Sequence, residues 1–357
     1  MTRKILLLAI VAVLGALPAL ANDTVDPTTV PFADACTGIT LENPEPSELC
    51  LQVMALRPTP DYRRIDADNA TINKYSFYKV NENSNVFAAP GGAVTRNLGP
   101  GFNYVSAIDT SNPNWIQITG GEWMSTNDVN LVTPSDERGF VIDDNLANEY
   151  AYILGTVITS PFPGAPGAIE TGVYKYYYNP VNIFATVELG GWRWYMIGPG
   201  QWVEQRNVAK VSLTERPADV SGHWLAVDLY EQTMVAYEDD TPVFSTIIAS
   251  GLSGWDTNEG VFNVWYRVAD GSMSGATGAP DAYALQSVPW TLYFDGDISL
   301  HGTYWHNAFG FRRSHGCVNL TLSDSRWLFN WTAAAEGPLN DEGELQTYVY
   351  VYSSGEY

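Results

Sequence analysis

Between His301 and Asn319 the sequence reads His-Gly-Thr-Tyr-Trp-His-Asn-Ala-Phe-Gly-Phe-Arg-Arg-Ser-His-Gly-Cys-Val-Asn, and this stretch holds three of the chain's four histidines and one of its three cysteines. A thiol with one imidazole two residues before it and another sixteen residues before it is the minimum equipment for a sulfur nucleophile. A free cysteine has a pKa of about 8.5, so little thiolate exists at neutral pH without help. A neighbouring imidazole can take the proton, stabilise the thiolate as an ion pair and return the proton to a leaving amine. Cys317 is the expected nucleophile and His301 the expected general acid/base, and activity is expected to fall at acidic pH. Gly316, between His315 and Cys317, leaves backbone N–H groups unshielded, which suits an oxyanion hole. The same His and Cys set could ligate zinc, but its spacings fit no common zinc motif, and neither a metal nor a cofactor is expected. His306 reads as a structural or rim residue.

The elements that must hold these groups are mostly strands. Trp290–Phe294 turns at Asp295-Gly296-Asp297 into Ile298–His301, which places His301 rigidly at a strand end. Upstream, Leu225, Val227 and Leu229 alternate with polar or small residues, Met234–Tyr237 follows a turn, and Thr241–Ser250 alternates again. Thr347–Tyr352 alternates aromatic and branched residues at the end. One helix is legible, with Ser323 or Thr321 as its cap and Trp327, Leu328 and Trp331 at helical spacing. Residues 221–357 therefore read as a mostly-β domain with one short helix. The stretch 337–344 before the last strand reads as an insertion.

Before this domain one pattern occurs twice. Trp115-Ile-Gln-Ile-Thr-Gly-Gly-Glu-Trp123 and Trp194-Tyr-Met-Ile-Gly-Pro-Gly-Gln-Trp202 share two Trp, an Ile and a Gly at the same positions. Asn85-Val-Phe-Ala88 and Asn182-Ile-Phe-Ala185 precede them. Each copy reads as a hairpin with a glycine turn. The two copies, taken as residues 76–135 and 145–215, resemble small bacterial SH3-type β-barrels. Their aromatic clusters could be wall-binding grooves or barrel cores, and core is the default. Ser160-Pro-Phe-Pro-Gly-Ala-Pro-Gly167 reads as a turn or linker, and residues 22–75 as an irregular leader. Within the leader, Cys36 and Cys50 are fourteen residues apart and are expected to form a disulfide, two buried free thiols being the alternative.

Ser314-His315-Gly316-Cys317-Val318-Asn319, preceded by Leu300-His301-Gly302-Thr303, resembles the signature of L,D-transpeptidases with a YkuD-type catalytic domain. The twelve residues from Gly302 to Arg313 are slightly fewer than that family's usual spacing. Where the family has Thr-Pro-x-Gly, this chain has Thr257-Asn258-Glu259-Gly260. The resemblance implies a β-sandwich and an attack by Cys317 on the third residue of a peptidoglycan tetrapeptide stem. That step releases D-Ala, and the thioester then passes to a neighbouring stem as a 3→3 cross-link. It further implies shaping roles for His315 and Ser314, oxyanion N–H groups at Gly316 and Cys317, a supporting Asn319, a donor-groove contact at Trp305, and acylation by carbapenems. Arg313, with Arg312, could hold stem carboxylates or be a solvated turn residue. Water as acceptor (an L,D-carboxypeptidase), a protein as acceptor, and a non-catalytic wall-binding protein are the alternatives.

Composition limits the rest. The formal charge of −22, from 18 Lys and Arg against 40 Asp and Glu, argues against a nucleic-acid partner. Arg3 and Lys4, the apolar run Ile5–Ala16 and Ala19-Leu-Ala21 have the three parts of a secretory signal peptide over residues 1–21. The chain is therefore expected in the periplasm or the extracellular wall, with no transmembrane segment.

Overall fold

The computed structural model describes residues 26–142, 148–276, 279, 281–332, 337–338 and 347–355. The signal-peptide reading and most of the 337–344 insertion lie outside these residues. The described chain is mostly β, and its C-terminal part is a sandwich of two sheets. In one sheet His223–Asp228, Thr233–Glu238 and Thr241–Ile247 run antiparallel in succession, with Thr347–Tyr352 parallel to the first and Gly260–Asn263 beyond it. The other carries Tyr266–Gly275, Tyr283–Asp295, Ile298–Gly302 and Val318–Leu320. Alternation explains which side chains go inward. Leu225, Val227, Met234 and Val349 from the first sheet meet Leu292, Phe294, Leu300 and Val318 from the second in one buried cluster. Leu328 and Phe329 of the helix Leu322–Trp331 join the same cluster.

Thr321 caps that helix, its side chain accepting from the Asp324 N–H at 3.1 Å. Ser323, the other expected cap, instead accepts from the Asp68 N–H at 3.0 Å. Asp324 itself is fully buried and joins three parts of the chain. It accepts from the Gly139 N–H at 2.7 Å, the Thr246 hydroxyl at 2.6 Å and the Tyr178 hydroxyl at 3.1 Å. Burial raises its carboxyl above the ordinary aspartate range, against the pull of these donors. Asp324→Ala strands those three donors in a dry core and is expected to cost about 3 kcal/mol or more. Calorimetry should show a drop in Tm of several degrees, with a smaller drop for Asp324→Asn.

The segment 22–75, expected to be an irregular leader, is built into the fold over its described part. Phe32–Ala35 and Glu48–Leu56 are helices, joined by a Cys36–Cys50 disulfide. They pack Phe32, Val53 and Met54 against Phe184, Trp194 and Trp202 of the second upstream module. Arg63–Arg64 adds a short strand to Phe140–Val141, which pairs in turn with Phe244 and Ser245. The helices are too short to show periodicity, and their apolar partners lie far along the chain.

The repeated motif falls on matching elements. Trp115–Ile118, Trp123–Ser125, a 3₁₀ turn Thr126–Asp128 and Val129–Val132 form the first copy. Trp192–Gly198, Gln201–Glu204, a 3₁₀ turn Gln205–Asn207 and Val208–Val211 form the second. Neither copy closes into a continuous sheet, so the barrel form expected of each is not specifically shown. In the first, Val94–Leu98 and Val129–Val132 are terminal strands that do not pair with each other. In the second, the strands divide into two three-stranded sheets and a two-stranded one. The 160–167 stretch, read as a turn or linker, contains a turn closed by the Ala165 N–H on the Phe162 carbonyl at 3.2 Å, and Ser160 bridges to Trp202.

Candidate active site

Ile298–Gly302 and Val318–Leu320 lie side by side and parallel, with Leu300 opposite Val318 and His301 opposite Asn319. The side-chain period of two sorts these residues cleanly. Leu300, Val318 and Leu320 point into the sandwich core. Ser299, His301 and Asn319 take the other face, and extending the register sets Ser299 beside Cys317. The Ser299 hydroxyl lies 3.6 Å from Cys317 Sγ. His301, Cys317 and Asn319 all line one cleft of about 700 Å³. Cys317 is a free thiol, partly open to that cleft.

His301 is almost wholly enclosed, and burial pushes its imidazole down to about 4. Its Nδ1 lies 3.2 Å from the Gly302 carbonyl oxygen, which fixes the proton on Nδ1 and leaves Nε2 as the basic nitrogen. Burial pushes the Cys317 thiol up, against the pull of Ser299. The resting pair is therefore a neutral thiol and a neutral imidazole, not the ion pair expected from the sequence. The hydrogen bonds of Sγ run to Ser299 and to the Asp297 carbonyl at 3.8 Å, and none reaches His301. Such catalytic bonds commonly tighten only around a bound substrate.

The turn before Cys317 is held from both sides. Ser314 donates its hydroxyl hydrogen to the Cys317 carbonyl and accepts from the Gly316 N–H at 3.1 Å. Arg313 and Ser314 both donate their N–H to the Ser250 carbonyl, and the Leu252 N–H returns to Ser314. Gly316 has φ +110°, in the left-handed region that favours glycine. Its N–H, expected in an oxyanion hole, is occupied by Ser314 in this conformation.

His306, read as a structural or rim residue, lines the cleft and has a hydrogen-bond partner at each ring nitrogen. Its Nδ1 accepts from the Ala308 N–H at 3.1 Å, so the neutral ring carries its proton on Nε2. That nitrogen lies 2.8 Å from the Asn319 side-chain amide. The amide nitrogen Nδ2 stands at that distance and Oδ1 has no partner among the described residues, so an Nε2–H requires the amide turned over, with Oδ1 accepting. Burial lowers this imidazole to about 3, with the Arg313 charge adding to the effect.

The family model for the L,D-transpeptidase catalytic domain, YkuD, matches residues 222–348. Residues 222–348 are a YkuD-type L,D-transpeptidase catalytic domain. Among solved structures, an L,D-transpeptidase from Stackebrandtia nassauensis is 25% identical, with 40% of this chain and 59% of that one covered and a TM-score of 0.29. One from Xylanimonas cellulosilytica is 24% identical over 38% and 63%, with a TM-score of 0.29. This chain thus spans less than two thirds of either. The catalytic domain of an E. faecium L,D-transpeptidase acylated by ertapenem is 26% identical over 38% of this chain and 100% of its own, with a TM-score of 0.31. None of the curated proteins compared with the chain matches it.

Within the YkuD domain, the departure at Thr257-Asn-Glu-Gly260 keeps the two residues that the geometry uses. Buried Thr257 donates to the Gly316 carbonyl at 2.7 Å and accepts from the Gly251 N–H at 3.0 Å. Gly260 adopts φ +147°. Asn258, in place of proline, donates to Asp295 at 2.7 Å. Trp305 lines the cleft with its ring 5.6 Å from that of His301, and exposed Arg313 lines it too. His315 lies between the rings of Tyr283 and Trp255, 3.9 Å from Asp281, which makes it a wall residue. Sequence reasoning passed over Ser299 and Thr257. Ser299 was readable as the residue two before His301 on one strand, and Thr257 as the first residue of the altered Thr-x-x-Gly. Among the described residues, no group of three or more His, Cys, Asp or Glu could hold a metal, and no helix is long and apolar enough to cross a membrane.

Proposed function

We propose that this chain is an exported cysteine L,D-transpeptidase that makes 3→3 cross-links in peptidoglycan. The observation that carries this reading is the one sheet face bearing Ser299, His301 and Asn319 on two paired strands, with Cys317 beside Ser299 in an open cleft. His301 Nε2 takes the thiol proton as Sγ attacks the carbonyl of the stem's third residue. The same nitrogen then gives that proton to the departing D-Ala amine. The Cys317 N–H is the remaining oxyanion donor of the expected pair, and Trp305 borders the donor stem. The side-chain amine of a second stem's third residue then attacks the thioester, with His301 again as base. The free thiol, and the acylation by ertapenem of the E. faecium domain, support carbapenems as inhibitors of the same sulfur.

Mass spectrometry of purified tetrapeptide muropeptides after incubation with the enzyme tests the proposal. The expected products are D-Ala and a dimer lighter than two tetrapeptides by one alanine. D-Ala without dimer would make the enzyme an L,D-carboxypeptidase, and neither product would refute the reading.

A further inference from the structure

The cleft around Cys317 is only partly made by the YkuD domain. Lys79, Asn81, Glu82 and Phe102, all from the first upstream module, line it together with Arg313 and Trp305. The seam between the two parts is close. Phe102–Asp109 runs parallel to the start of Tyr283–Asp295, with Phe102 opposite Tyr283. The Phe102 N–H donates to the Ala282 carbonyl at 2.8 Å. Gly101 adopts φ +132°, and a Cβ there would lie 2.4 Å from the Ala282 oxygen, so only glycine permits this approach. Gln286 accepts from the Ser106 N–H at 3.1 Å and the Thr119 hydroxyl at 3.0 Å, while Phe77 stacks on Tyr304 at 4.0 Å. Lys79 follows Phe77 by two residues on the same strand, and therefore leaves it on the same side.

The charges in this cleft run against the chain as a whole. In a protein of formal charge −22, the lining carries Lys79, Arg312 and Arg313 against Glu82 and Asp281. Arg312 is paired with Asp256 at 3.3 Å, and Asp281 faces His315. Lys79 and Arg313 have no ion pair among the described residues. Cations held unpaired in a concave wall are complementary to a carboxylate-bearing ligand. We infer that the first upstream module is a wall of the substrate site, and that Lys79, with Arg313, binds carboxylates of an acidic peptide, which, on the function proposed above, is the stem acted on by Cys317.

Binding separates this inference from turnover. Calorimetry would measure the affinity of a stem tetrapeptide, and of the same peptide with its carboxylates amidated, for the full chain carrying Cys317→Ala. Adding Lys79→Glu or Arg313→Glu is expected to weaken the acidic peptide about five- to tenfold and the amidated peptide less than twofold. Lys79→Met, which keeps the apolar stem, should fall between. Tm of the single charge variants should stay within a few degrees of the parent, because both side chains are exposed. Equal losses on both peptides, unchanged affinity for the acidic one, or no binding of it at all would each overturn the inference. Absence of D-Ala release by the parent enzyme, with charge-dependent binding retained, would instead count against the proposed reaction alone.

Discussion

Cys317→Ala is expected to abolish both carbapenem acylation and D-Ala release, a loss of at least about 10⁴-fold. The other two cysteines form a disulfide, so Cys317 is the free thiol of the chain. Intact-protein mass spectrometry should show one carbapenem adduct on the parent and none on the variant. The turn around the sulfur should survive the change. Its bonds run through the Ser314 hydroxyl, the Gly316 N–H and carbonyl and the Cys317 carbonyl, all of which the alanine variant keeps. The thiol's own hydrogen bonds, to Ser299 and Asp297, are long and weak. Tm should therefore move little, and a well-folded but inert protein would separate loss of chemistry from loss of structure. An adduct retained on the variant would place the nucleophile elsewhere.

The candidate reacting residues were legible because the residue types that carry such chemistry are compressed into one short run. His301 and Cys317 could be named from residue type and spacing, and strand alternation puts His301 and Asn319 on one face. Tertiary packing was less legible. Thr257 supports Gly316 from a distant loop, and nothing local to either residue shows that contact. Asp324 looks like an ordinary first-turn helix residue until Gly139, Thr246 and Tyr178 are brought to it. The wall formed by Lys79 and Phe102 depends on a parallel pairing between strands from two modules, a contact that no local pattern encodes. Burial also altered the chemistry itself. A His and Cys near each other in sequence suggest an ion pair, whereas the enclosed site holds both groups neutral.

That neutrality fixes the form of the pH profile. With the His301 imidazole at about 4, the base is unprotonated across the neutral range. kcat/KM should stay nearly flat from pH 8 to about 5 and reach half its plateau near pH 4. A solvated imidazole would instead give an acid limb near 6.5. His301→Gln keeps the bulk but removes the base, and should lower kcat/KM by about 10²- to 10⁴-fold, with the acid limb abolished. Stability carries the same signature with a definite sign. His301 and His306 both bind protons more weakly when folded, their imidazoles lying at about 4 and about 3. Below about pH 6.5 the unfolded chain takes up protons that the folded chain refuses, so stability falls as pH drops through this window. Removing one of the two groups makes the slope of stability against pH shallower by up to one proton. Tm of the parent and of His301→Gln should therefore converge as pH falls from 6.5 towards 4. If the two curves run parallel while activity still shows a limb near pH 4, a group other than His301 sets that limb, and its role as base would have to be reassigned.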